Sequence, residues 1–106
     1  LREERIVPFE GAMEALAILS SKFPLVLITN GESHKQRAKI DRFSLAGYFT
    51  HILVEEEVGF GKPDVRIFEH ACRLTGAAPS RTAMIGDNLV WDVEAPMKAG
   101  ICGIQP

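Results

Sequence analysis

Short, uninterrupted apolar runs alternate along the chain with longer stretches whose apolar residues recur at helical spacing. Leu25-Val26-Leu27-Ile28 is the first run, and Thr29-Asn30-Gly31 ends it. His51-Ile52-Leu53-Val54, Ala83-Met84-Ile85 and Ile101-Cys102-Gly103-Ile104 are the others. Continuous runs of this kind predict strands covered on both faces, because a strand with one wet face alternates polar and apolar residues. Between them the period changes. Met13, Leu16, Ala17 and Leu19 follow a helical spacing after Gly11. Ser33 predicts the cap of a helix that turns Ile40 and Phe43 inward and Lys35, Arg37, Lys39 and Arg42 toward water. Asp64 predicts the cap of another, with Ile67, Phe68, Ala71, Cys72 and Leu74 as its apolar stripe and Gly76 as its stop. A last helix begins near Trp91 or Asp92 and ends before Gly100. Pro96 falls in its first turns, where proline removes at most one backbone hydrogen bond.

Strands alternating with helices imply right-handed crossovers and an α/β fold, a Rossmann-like parallel sheet flanked by helices. In a parallel sheet every strand-to-helix loop emerges on the same edge, and open α/β folds bind their ligands there. Thr29-Asn30, Lys62 and the pair Asp87 and Asp92 all fall in such loops. Distant in sequence, they are expected to meet in space.

Met84-Ile85-Gly86-Asp87-Asn88-Leu89-Val90-Trp91-Asp92 reads as a buried strand that stops at glycine and delivers two carboxylates, five positions apart, to the turn into a helix. With no basic neighbour in the segment, the two acids are costly together unless a cation joins them. Oxygen-only ligands suit Mg²⁺ rather than zinc. The plainer alternative is that Asp87 caps a turn and Asp92 caps a helix. Thr29 offers a hydroxyl, and the Asn30 and Gly31 backbone N–H groups offer neutral donors suited to phosphate oxygens. Thr-Asn-Gly is equally a plain turn signal. Lys62, within Gly59-Phe60-Gly61-Lys62-Pro63-Asp64, adds a point charge, although the same stretch also fits a solvated loop. Donors, ammonium and metal around one spot make a site for a phosphate and for the charge that develops during its transfer.

Several other chemistries are excluded or disfavoured. The stretch around Lys62 is not a phosphate-binding P-loop, because Pro63 stands where Ser or Thr is required and Glu56 where the first glycine belongs. His34, His51 and His70 are scattered over two helices and a strand, which argues against a histidine metal site or base. Trp91 could line a substrate pocket or pack on a neighbouring loop. The 106 residues, 46% hydrophobic and 25% charged, suit one soluble domain spanning 1–106. A net charge of −2 gives no general attraction to nucleic acid, and the basic run from Lys35 to Arg42 reads as a solvated helix face. No apolar run approaches the ~18–20 residues of a membrane span. Cys72 and Cys102 sit in apolar contexts without metal-ligand spacing, which predicts reduced core thiols in a cytoplasmic protein.

Taken together, the motifs resemble the core of a haloacid dehalogenase-like (HAD) hydrolase. "LVLITNG" is similar to the second motif of that family, with Thr29 as phosphate-binding hydroxyl. "GFGKPD" resembles the third, with Lys62 as the charge-stabilising lysine, and "MIGDNLVWDVEAPMKAG" the fourth, with Asp87 and Asp92 as the acidic pair for Mg²⁺. "VPFEGAMEAL" resembles the segment leading from the family's cap into its core, so the likeness spans essentially the whole chain. The paired acids favour phosphatase-type chemistry, because cleaving a carbon–halogen bond requires no metal. The resemblance implies removal of phosphate from a small metabolite through an aspartyl-phosphate intermediate.

One departure is severe. Asp41, Asp64, Asp87 and Asp92 are the only aspartates, and none forms the Asp-x-Asp of the family's first motif. That motif supplies both nucleophile and general acid/base, so this chain alone is expected to be inactive. In the family the first strand lies at the centre of the sheet, between the strand ending at Thr29 and the one ending at Gly86. An incomplete core without that strand and without the cap leaves two apolar strands with unpaired edges. Such edges have three outcomes: direct pairing of the two strands, insertion of a segment from a partner molecule by self-association or strand exchange, or completion by a further segment. Leu1-Arg2-Glu3-Glu4-Arg5 reads as the tail of a helix, which favours part of a phosphohydrolase. The alternative is a non-catalytic remnant that binds phosphate or protein. A phosphorelay receiver domain would need its acidic pair after the first strand and its lysine last, the reverse of the order here.

Overall fold

A computed structural model describes residues 10–85 and 94–104. The elements are α1 (Glu10–Lys22), β1 (Val26–Thr29), α2 (Ser33–Arg42), β2 (His51–Val54), α3 (Glu55–Val58), α4 (Val65–Thr75), β3 (Ala83–Ile85), α5 (Ala95–Lys98) and β4 (Cys102–Ile104). Single tight turns at Ala46–Tyr48 and Pro79–Arg81 lead into β2 and β3. Each of the four apolar runs is therefore a strand, and the α/β alternation is as expected. No described helix is long and apolar enough to cross a membrane.

Both ladders are parallel. β1 pairs with β2 in the register Val26↔His51 through Thr29↔Val54, and β3 pairs with β4 from Ala83↔Cys102 to Ile85↔Ile104. Adjacent residues of β1 then point to opposite faces. Leu27 joins Leu16, Ile40 and Leu45 on the side of α1 and α2, whereas Ile28 joins Leu53, Ile67, Phe68 and Cys72 on the side of α4. Two cores, one on each face, explain why the strand sequences are apolar apart from Thr29 and His51 at strand ends.

The two parallel pairs form separate sheets among the described residues. Direct pairing of β1 with β3, one of the three expected outcomes, does not occur there. A cavity of about 870 Å³ lies between the pairs instead. Val26, Leu27 and Ile28 of β1 and Met84 of β3 line it, with Leu16 above and Phe68 below. Its wall is overwhelmingly hydrocarbon, and both helical layers contribute to it.

α4 shows how local chemistry sets an element. Its cap is Asp64, whose side chain accepts from the Arg66 N–H, and it ends at Gly76, where φ of +73° favours a residue without a Cβ. Ile67, Phe68 and Cys72 are buried on its inner face. Leu74, expected on that stripe, is 39% exposed: it lies in the last turn, after Cys72 has met the core. Ala17 of α1 also faces outward. Ser33 is not a cap either. The cap position is Glu32, without a side-chain hydrogen bond, and Ser33 opens the helix with its N–H held by the Glu56 carboxylate at 2.8 Å. The acceptor that a capping side chain would supply comes from α3, the helical turn after the neighbouring strand. Both cysteines are free thiols; Cys72 is buried, but Cys102, expected in the core, is exposed on β4, which has a partner strand on one side only among the described residues.

Candidate active site

The carboxyl ends of β1 and β2 stop level with each other, because Thr29 pairs with Val54. The segments leaving the two strands therefore meet at one edge. After β1 come Asn30, Gly31 and α2. After β2 comes α3, a single turn beginning with three glutamates, where acidic residues complement the helix dipole, and then Gly59 and the loop that carries Lys62. Among the described residues, Thr29 and Lys62 are the buried polar residues of the core, 2% and 3% exposed. Burying a hydroxyl and an ammonium is costly without partners, so these positions mark where polar chemistry is built in.

The loops are fastened to each other by side chains. Asn30 Nδ2 donates to the Lys62 carbonyl at 2.8 Å, and the Lys62 N–H donates to Asn30 Oδ1 at 2.9 Å. Gly31 N–H donates to Glu55 Oε1 at 2.9 Å, and Glu56 N–H returns a bond to the Gly31 carbonyl. The Thr29 hydroxyl donates to Gln36 Oε1 at 2.9 Å. On the outer side Ser33 Oγ donates to Glu57, and Arg37 grips the same carboxylate through Nε and Nη2 at 2.9 and 2.7 Å. The Arg37 hydrogen bonds, then the Ser33 hydroxyl, lower the Glu57 pKa to about 2. Beyond Lys62, the Arg66 guanidinium lies 4.5 Å from the Phe60 ring centre and pairs with Asp64 at 2.8 Å, which stiffens the far end of the lysine loop.

Thr29, Asn30 and Lys62 are thus brought together, as the parallel-sheet argument requires. Two details differ from expectation. The Asn30 side chain is turned onto the main chain of Lys62, and the Gly31 N–H, expected to be open for phosphate, is taken by Glu55. Asp87, Asp92 and Trp91 lie outside the described residues, beyond the carboxyl end of β3 at Ile85. Among the described residues no cluster of three or more His, Cys, Asp or Glu could hold a metal ion. Gln36 and Glu55 carry no motif that marks them in the sequence. Glu55 is nonetheless within reach of sequence reasoning, since pairing the first two apolar runs in parallel register places it beside Asn30.

Comparison with known proteins decides the family. The haloacid dehalogenase-like hydrolase family matches residues 1–100. The chain belongs to the haloacid dehalogenase-like hydrolases. The glyceraldehyde 3-phosphate phosphatase of Methanothermobacter thermautotrophicus is 37% identical over 98 residues, which cover 92% of this chain and 43% of that protein. The phosphoserine phosphatase of Thermus thermophilus is 39% identical over 102 residues, 94% of this chain and 41% of the relative. Among solved structures, the HAD-hydrolase YfnB of Bacillus subtilis, bound to magnesium, superposes with a TM-score of 0.81 at 32% identity, covering 88% of this chain and 41% of that one. A HAD phosphatase from Thermococcus onnurineus gives 0.83 at 25% identity over 93% of this chain and 46% of its own. The chain spans less than half the length of these HAD relatives.

Proposed function

We propose that this chain is part of a Mg²⁺-dependent HAD phosphohydrolase acting on a small phosphorylated metabolite in the cytoplasm, and that by itself it binds phosphate without turning it over. The observation that carries this reading is the convergence of Thr29, Asn30 and Lys62 on one sheet edge, two of them buried polar groups in an otherwise apolar core. The Thr29 hydroxyl donates a hydrogen bond to a phosphate oxygen, turning to it from Gln36 Oε1. Lys62 balances the charge that gathers on the phosphoryl oxygens as the bond to the leaving group breaks. Asp87 and Asp92 offer oxygen donors alone, the set that suits Mg²⁺. When bound there, the ion would add positive charge beside the phosphate and orient it.

The nucleophile is the group this sequence does not hold. No aspartate occurs in an Asp-x-Asp, so the covalent step has no attacking carboxylate. The cavity between β1 and β3 supports the same reading, because one extended apolar segment lying in it parallel to both strands could pair with each. The relatives, more than twice as long, have chain to spare for such a segment.

Two assays test this. With Mg²⁺ and an aryl phosphate, the 106-residue chain is expected to release no phosphate above background. Titrated with inorganic phosphate and followed by NMR, it is expected to shift the signals of Thr29 and Lys62, and Thr29→Val is expected to weaken that binding by about tenfold, the loss of one hydrogen bond to a charged group. Robust turnover abolished by Asp87→Ala would show that the missing carboxylate is not needed.

A further inference from the structure

Lys62 is a flexible stem with a charge at its tip, and such a group helps an anion only if its root is fixed. The Asn30 side chain holds that root here. Asn30 accepts from the Lys62 N–H at 2.9 Å and donates to the Lys62 carbonyl at 2.8 Å. The N–H and C=O of one residue flank its Cα, and its φ and ψ are the soft dihedrals between them. A planar carboxamide bonded to both therefore restrains those two angles and with them the direction of the Cα–Cβ bond. The amide acts as a one-residue strand laid against Lys62.

This approach depends on the residue before the lysine. A Cβ at Gly61 would stand 2.6 Å from Asn30 Oδ1 and 2.8 Å from Glu55 Cγ. Neither neighbour can give way cheaply: the Asn30 oxygen is bonded to Lys62, and Glu55 is bonded to the Gly31 N–H. Gly61 is thus required by the closeness of the two loops, since it shows no positive φ.

The geometry points to Asn30 and Gly61 as positioning residues that aim the Lys62 ammonium, with the Asn30 side chain acting on the lysine's main chain and not on the ligand. This rests on the reading of Lys62 as the charge-balancing group of a phosphate site, and it changes the part Asn30 plays in that site. The glycine is the space that lets the asparagine in.

The test uses the full ¹⁵N-labelled chain and reads amide hydrogen exchange and inorganic phosphate titrations in parallel. Asn30→Ala and Gly61→Ala are each expected to speed exchange at the Lys62 amide by about tenfold while the Leu53 amide in β2 keeps its rate, the mark of a local loss. Asn30→Asp keeps an acceptor for the Lys62 N–H and is expected to retain most of that protection. In the phosphate arm, Asn30→Ala weakens binding, and Lys62→Met costs less in the Asn30→Ala background than in the parent, because the ammonium is already misplaced. Unchanged Lys62 exchange in Asn30→Ala, or losses of phosphate affinity that simply add, would overturn the positioning role. A parent chain that takes up no phosphate overturns the phosphate reading instead, and the exchange arm then decides the positioning role alone.

Discussion

At the scale of single residues, the site is assembled by side chains that reach across from one loop to the next. Thr29, Asn30, Glu55 and Lys62 make contacts 7 to 32 positions distant in sequence, yet none of the bonds exceeds 2.9 Å. Glu57 gives this interlock a pH dependence with a definite sign. Its pKa in the folded chain is lowered from 4.5 to about 2, first by Arg37 and then by Ser33. The carboxylate therefore contributes stability that is fully present above the unfolded value and is lost as pH falls from about 5 toward 2. The pair is partly exposed, so the contribution is small, below about 1 kcal/mol, and screened by salt. Thermal melts of the parent and of Glu57→Gln are expected to differ at pH 6, to draw together as pH falls below 4.5 and to converge near pH 2. A gap that widens on acidification would reverse the assigned sign.

At the scale of elements, α4 illustrates a helix whose ends are written in sequence and whose middle is set by packing. Asp64→Ala removes the side-chain acceptor of the Arg66 N–H and is expected to destabilise the chain, as loss of an N-cap does. In urea this appears as a lower midpoint with an unchanged slope; an unshifted midpoint would mean that the cap adds nothing here. Asp64 and Gly76 are legible because capping chemistry is local. The four strands are legible for a related reason: burial on both faces leaves apolar runs, with the polar residues Thr29 and His51 only at strand ends. Ser33 misleads because its N–H is satisfied by Glu56 of α3, a contact no local rule reports. α3 is hard to see because one turn of helix is too short to show a period, though its three glutamates and the glycine after it signal a start and a stop. The convergence of Thr29 and Lys62 comes from parallel topology, whereas the use of the Asn30 side chain does not, since only the fold puts it beside Lys62. The exposure of Cys102 has no local signal at all, as it arises from β4 having one partner among the described residues.

At the scale of the whole molecule, two parallel pairs of the described residues stand apart around an apolar cavity of about 870 Å³. Such a space inside an otherwise layered α/β core is unstable against filling, by water at a cost or by chain with a gain. Strands with unsatisfied edges and hydrocarbon walls also invite other chains. Light scattering of the isolated 11.7 kDa chain is accordingly expected to give a mass that rises with concentration. A strict monomer at every concentration, with slowly exchanging amides along β1 and β3, would show that the edges are satisfied within the chain. The central claim, that the hydroxyl at Thr29, the ammonium at Lys62 and the acids Asp87 and Asp92 surround one phosphate and one divalent ion, is most directly tested by adding Mn²⁺ as a paramagnetic stand-in for Mg²⁺, with inorganic phosphate present. The account predicts selective broadening of NMR signals from Thr29, Asn30 and Lys62 together with those of Asp87 and Asp92, abolished by Asp87→Asn. Broadening centred elsewhere, such as around His51 at the opposite end of β2, would contradict it.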